Sequence, residues 1–234
     1  MPELKKVESA LEWTPKYFDF IAVSFVVCLL VSNLAAVKLF QLGSAIFSAG
    51  ILVFPLSYIF GDILSEVYGY RRARRIIWMG LLSNLFMVIA LKIAIVLPPA
   101  PNWPFQEQFS TIHEIIPRIV LGSLVGYWAG EMINTFIMVK MKVLTNGKHL
   151  WARTISSTLA GQAVDTCLFA LISFAGIIPN DLLFKTIISA WLFKSLYEAA
   201  VTPLTYILVN FLKRAEGVDH FDTKDSFNPI GLKL

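Results

Sequence analysis

The chain has 234 residues, 56% of them hydrophobic and only 15% charged, and its mean hydropathy of +0.67 lies outside the range of a soluble domain with a polar surface. Its net charge of +4 comes from basic residues at the borders of apolar runs, where they set orientation in a bilayer and give no patch for nucleic acid. Cys28 and Cys167 sit inside apolar runs, and His113, His149 and His220 have no ligand-spaced partner, so neither a disulfide framework nor a metal or other cofactor site is expected.

A segment of about 20 apolar residues crosses a hydrocarbon core of about 30 Å as a helix. Six segments are long enough: about Tyr17–Val37, Ser44–Val67, Ile76–Leu97, Ile115–Val139, Thr154–Ile177 and Leu182–Leu212. The runs are too long and continuous for barrel strands. The expected fold is an all-α integral membrane protein in the lipid bilayer. A bundle of six transmembrane helices occupies 17–212, between a cytoplasmic N-terminal segment, 1–16, and a cytoplasmic tail, 213–234. The first run follows Lys5, Lys6 and Lys16 like a signal peptide, but its length argues for a retained span.

Fifteen of the twenty basic residues fall on one side if the spans alternate: the N-terminus, Arg71 to Arg75, Lys140 to Arg153, and the tail. Both termini are therefore predicted to be cytoplasmic. Within the second span, Tyr58, Asp62 and Glu66 recur every four residues and form one face just inside Arg71 to Arg75. Pairing with those arginines is the structural alternative, more natural for Glu66 than for the deeper Asp62. The connection Pro98–Glu114 is expected at the outer interface, with Trp103, Phe105 and Phe109 as an aromatic belt. On the fourth span Gly122, Gly126 and Gly130 make a face for close helix approach, either within the bundle or across a homodimer.

Every span carries a polar group at depth: Asn33, then Asp62 and Glu66, then Asn84, then Arg118, Glu131 and Asn134, then Gln162 and Asp165, and last Lys194 and Glu198. Ionisable groups in a bilayer cost roughly 2.5–3.5 kcal/mol on insertion scales, so they face protein, water or ligand. Asp62, Glu131, Asp165 and Glu198 outnumber the embedded cations Arg118 and Lys194. A central polar cavity accommodates this excess, and its neighbours Tyr127, Trp128 and Tyr197 suit a flat, polar, small ligand. No basic residue within the fifth span neutralises Asp165, so it must meet Lys194, a proton or ligand N–H donors. Phosphate-loop, zinc-protease and nucleophile-elbow motifs are absent, which argues against an enzyme and against ATP hydrolysis by this chain.

Four blocks in order, FPLSYIFGDILSEVYGYRRARRIIW (Phe54–Trp78), RIVLGSLVGYWAGEMIN (Arg118–Asn134), RTISSTLAGQAVDT (Arg153–Thr166) and LFKSLYEAAVTPLTY (Leu192–Tyr206), resemble the queuosine precursor transporter family, also grouped as vitamin uptake transporters. The resemblance spans about Asn33 to Arg214. It implies a six-span importer of 7-deazaguanines (7-cyano-7-deazaguanine, 7-aminomethyl-7-deazaguanine or queuine) feeding queuosine modification of tRNA. It also implies that Asn33, Asp62, Arg118, Glu131, Asn134, Gln162, Asp165 and Lys194 form the site, to which the residues' own spacing adds Tyr58 and Glu198. The competing readings are a substrate-binding subunit of an energy-coupling factor importer and a membrane-embedded enzyme or assembly factor.

Overall fold

The computed structural model describes residues 15–144 and 150–217, with the side chains of some residues inside those ranges, among them Tyr58, Glu66 and Glu131, outside the description. The chain begins with α1 (Phe18–Ala35), then a hairpin of β1 (Leu39–Leu42) and β2 (Ala45–Ser48), and a 3-10 turn at Ala49–Leu52. Six further helices follow: α2 (Phe54–Tyr68), α3 (Tyr70–Val96), the short α4 (Gln106–Glu114), α5 (Ile116–Leu144), α6 (Leu150–Phe174) and α7 (Asn180–Glu216).

The hairpin corrects the all-α expectation and shortens the second expected span by ten residues. Gly43 adopts φ +62° and, with Ser44, makes a two-residue turn that puts Leu42 opposite Ala45. Glycine tolerates that left-handed geometry without a Cβ penalty, so the chain turns back there instead of running on as a helix. β2 then docks on α7: the Ile46 N–H donates to Ser189 Oγ at 3.2 Å, and the Phe47 ring meets Phe193 edge-on at 5.7 Å. Pro55, in the first turn of α2, gives up a backbone N–H that has no helical partner there.

Two other expectations shift. Arg71 to Arg75 are not in a loop but in the first turns of α3, because the break is confined to Gly69 at φ +81°. The connection after Pro98 holds a helix of its own, α4, with Trp103 and Phe105 exposed before it.

Among the described residues two apolar clusters hold the bundle. Leu64 and Val67 of α2, with no exposed surface, lie among Phe25 of α1, Ile76 of α3 and Val209 and Leu212 of α7. Ala170 and Phe174 of α6 pack with Leu183 of α7. Outside these clusters large apolar side chains face outward, Phe20, Phe86 and Leu196 being about 70% exposed, as lipid-facing residues are. Among the described residues three segments are long and apolar enough to cross a membrane: Phe18–Ala35, Arg72–Val96 and Ile155–Phe174.

The α5–α6 seam is closed by glycine. A Cβ on Gly126 would lie 2.7 Å from the Asp165 backbone oxygen, and one on Gly130 would lie 2.8 Å from the Gly161 oxygen. The Gly122, Gly126 and Gly130 face is therefore covered by α6 of the same chain. Of the two alternatives for that face, the structure shows packing within the bundle, and the homodimer through it gains no support.

The start of α1 is tied to the end of α7. Tyr17, at the N-cap, makes no capping bond with its own side chain; instead the Lys16 and Tyr17 N–H groups each donate to the Glu216 carboxylate at 2.8 Å, and the Tyr68 hydroxyl donates at 2.9 Å. Burial alone would push the Glu216 carboxyl up, but these three donors and the Lys16 charge together hold it below its ordinary pKa. The Tyr68 hydroxyl moves the other way, raised by burial and then by its bond to Glu216.

Candidate functional site

The chemistry concentrates where α2, α5, α6 and α7 face one another. The Lys194 ammonium of α7 donates to Asp165 Oδ2 of α6 at 2.7 Å, with the two side chains only 10% and 7% exposed. The same ammonium lies 4.9 Å from the Phe54 ring centre and 6.0 Å from that of Phe169. Aromatic faces stabilise a cation that has left water, and the carboxylate supplies the opposite charge. Of the three partners open to Asp165 from the sequence, the structure gives it Lys194.

One helical turn away, Gln162 Nε2 donates to Glu198 Oε2 at 2.9 Å, and Thr158 Oγ1 approaches Glu198 Oε1 at 3.5 Å. Thr158, Gln162 and Asp165 share one face of α6, as Lys194 and Glu198 share one face of α7. Because the Gln162 amide nitrogen is committed to Glu198, its oxygen points elsewhere. Gln162 Oε1 and Asn134 Oδ1 are buried and have no hydrogen-bond partner among the described residues. Buried acceptors left unpaired cost about 1–3 kcal/mol each, so two beside one cavity mark a place where donors are wanted.

That cavity encloses about 240 Å³. Its walls are Asp62 of α2, Tyr127, Gly130 and Asn134 of α5, Thr158, Gly161, Gln162 and Asp165 of α6, and Glu198 of α7. A side chamber of about 40 Å³ joins Asp62, Gln162 and Glu198 to Lys194 and Tyr197, whose ring stacks on Phe193 at 6.1 Å. A separate narrow cleft, also about 40 Å³, is walled by Asn33 of α1, Phe54 of α2, Ser123 of α5, Asp165, Thr166 and Phe169 of α6, and Thr186, Ala190 and Lys194 of α7.

The two main spaces take opposite halves of the helices. On α5 the cleft touches Ser123 and the cavity Tyr127 to Asn134; on α2 the cleft touches Phe54 and the cavity Asp62. On α6 the cleft begins at Asp165 and runs to Ala170, while the cavity runs from Thr158 and ends at Asp165. Asp165 is thus common to both.

The structure gathers Asp62, Asn134, Gln162, Asp165, Lys194 and Glu198 around this centre. Asn33 is nearby in the cleft, but its amide donates to Asn84 Oδ1 at 2.7 Å and thereby ties α1 to α3. Arg118 lies apart: its guanidinium donates to the carbonyls of Ile172 and Ala175 at 3.0 and 2.9 Å and so satisfies the end of α6. The side chains of Tyr58, Glu66 and Glu131 lie outside the described residues. Thr158 was missed by sequence reasoning, although its position four residues before Gln162 was a readable signal. Phe54 was missed too, and no spacing pattern links it to Lys194. Among the described residues no group of three or more His, Cys, Asp or Glu could hold a metal ion.

Comparison with known proteins places this arrangement. A family profile described as "Putative vitamin uptake transporter" matches residues 48–208. A "Probable queuosine precursor transporter" of Bacillus subtilis (strain 168) is 27% identical over 176 residues, 75% of this chain and 77% of the relative. A protein with the same description from Haemophilus influenzae (strain ATCC 51907 / DSM 11121 / KW20 / Rd) is 24% identical over 66% of this chain and 62% of its own length. The "Queuosine precursor transporter" of Escherichia coli (strain K12) is 22% identical over 53% of this chain and 54% of its own length. No solved structure matches the chain. With the profile covering more than two thirds of its length, the chain belongs to the vitamin uptake transporter family and is a membrane transporter, not an enzyme.

Proposed function

We propose that the protein imports 7-deazaguanine precursors of queuosine by alternating access, through six spans (α1, α2, α3, α5, α6 and α7) with both termini in the cytoplasm. The relatives' descriptions as queuosine precursor transporters support the substrate class. The Glu216 node supports the orientation, because it gathers the start of α1 and the ends of α2 and α7 at the end of the bundle that carries Lys16, Arg72 and Lys213.

One observation carries the ligand reading: the 240 Å³ cavity has two buried unpaired acceptors, Gln162 Oε1 and Asn134 Oδ1, beside the Asp62, Asp165 and Glu198 carboxylates. A deazaguanine presents adjacent N–H donors along its pyrimidine edge, and its flat faces suit the Tyr127 ring. Adenine offers an acceptor at the ring nitrogen where guanine has N–H, so this cavity discriminates against it. Arg118 has no part in this reading.

Titration of the purified protein with 7-cyano-7-deazaguanine, its aminomethyl counterpart, queuine, guanine and adenine tests the assignment. Binding of the deazaguanines with no binding of adenine is expected; equal affinity for adenine refutes an acceptor-lined reader. Uptake in a host without any energy-coupling module is expected to persist.

A further inference from the structure

The Lys194–Asp165 pair stands where the two main spaces meet. Above it the cleft is narrow, about 40 Å³; below it the cavity opens to about 240 Å³. Asp165 lines both, and Lys194 floors the cleft and reaches the side chamber on the cavity side. The ammonium lies 4.9 Å from the Phe54 ring centre and 6.0 Å from that of Phe169, at the height where the lining residues change over on α2, α5 and α6.

We propose that Lys194 is the retractable plug of the transport pathway. It is a positioning residue that seals the passage by bonding Asp165, and it withdraws when ligand N–H donors take its place on that carboxylate. Three features make the ammonium suited to this. Its stem is long and flexible, with three rotatable donors and no fixed fork, so it can leave one partner without disrupting the helix. Its aromatic neighbours stabilise it during exchange without holding it in one direction. Asp165 can accept from the ammonium or from a ligand edge, but a ligand seated across it displaces the 2.7 Å contact. Opening is thereby linked to occupancy: the pathway unseals only when the carboxylate has a replacement donor set, which keeps a polar leak closed in the empty protein.

The inference rests on the transport reading but not on the identity of the ligand, so the labelling that tests it uses none, and deazaguanine binding is measured separately. In a background with Cys28 and Cys167 replaced by serine, single reporters are introduced as Ala190→Cys in the cleft and Thr158→Cys in the cavity. They are probed with a membrane-impermeant cationic thiosulfonate added to either face of sealed vesicles. With Lys194 in place, the Thr158→Cys reporter reacts from one face only. Adding Lys194→Ala is expected to make the same reporter react from the other face as well, with a rate increase of roughly tenfold or more, as for a state raised from a few per cent of the population. Lys194→Arg, which retains charge and reach, is expected to restore one-sided labelling. Because Lys194→Ala strands a buried carboxylate, the Lys194→Ala/Asp165→Asn pair is run beside it and is expected to leak in the same way. One-sided labelling in both, in protein that elutes as a single folded species, overturns the plug and leaves Lys194 as a structural counter-ion. Intact sealing with deazaguanine binding retained overturns this inference alone; normal leak behaviour with no deazaguanine binding overturns the ligand assignment alone.

Discussion

Replacing Asp165 by asparagine tests whether the central ion pair is read correctly. In the structure the change strands the Lys194 ammonium, whose side chain is 10% exposed and whose carboxylate partner is 2.7 Å away. Breaking a buried pair from one side costs about 3–5 kcal/mol, the penalty of an uncompensated charge. The Phe54 and Phe169 faces stabilise the ammonium in parent and variant alike and leave this difference unchanged, so a loss of about 3–5 kcal/mol is expected. For a chain of this size that is a fall in Tm of about 6–20 °C in a scanning measurement in detergent. Lys194→Met should cost a similar amount by stranding the acid. The double variant Asp165→Asn/Lys194→Met removes both charges of the pair together and should cost less than the sum of the two, with a coupling of about 1–3 kcal/mol in the double-mutant cycle. Strict additivity would refute the pairing, and a single Asp165→Asn variant as stable as the parent would do so too.

Gly126→Leu should loosen α6 from α5, since even a Cβ there meets the Asp165 backbone oxygen at 2.7 Å; overpacking of about 1–3 kcal/mol or more is expected as a lower Tm with no change in oligomeric state by size exclusion. Gln162→Leu removes one unpaired acceptor and should weaken deazaguanine binding about 5- to 150-fold by titration, the equivalent of about 1–3 kcal/mol. Glu216, whose pKa is lowered in the folded protein, contributes stability that is present above its unfolded value near 4.5 and is lost as pH falls through the lower folded value. Thermal melts should therefore show a Glu216→Gln difference at pH 7 that vanishes in acid; a difference that grows on acidification would refute the clamp. Reporter cysteines at Arg75 and Arg214 should stay protected from an impermeant probe in intact cells while one at Trp103 reacts, and labelling of Arg75→Cys from outside would overturn the orientation.

Much of the site was legible because helical periodicity projects directly into space. Once α6 and α7 are helices, Thr158, Gln162 and Asp165 must share a face, and so must Lys194 and Glu198. Bilayer cost then requires those faces to look inward. Arg118 illustrates the limit of that argument. Embedded charge implies some partner, yet the guanidinium is satisfied by the carbonyls that end α6 and has no need of the cavity.

The sequence by itself determined the membrane class, the long helices and the set of polar groups that had to be sheltered, because all three follow from hydropathy and local spacing. It did not determine the hairpin, since an apolar run from Ser44 to Val53 has the same composition as strand or helix and only docking of β2 on α7 decides between them. Nor did it determine which neighbour covers the glycine face, which cation neutralises Asp165, or that Glu216 caps α1 from the far end of the chain. Each of those is a contact between residues distant in sequence, where no periodicity reaches, and only the packing of the helices on one another brings the partners within bonding distance.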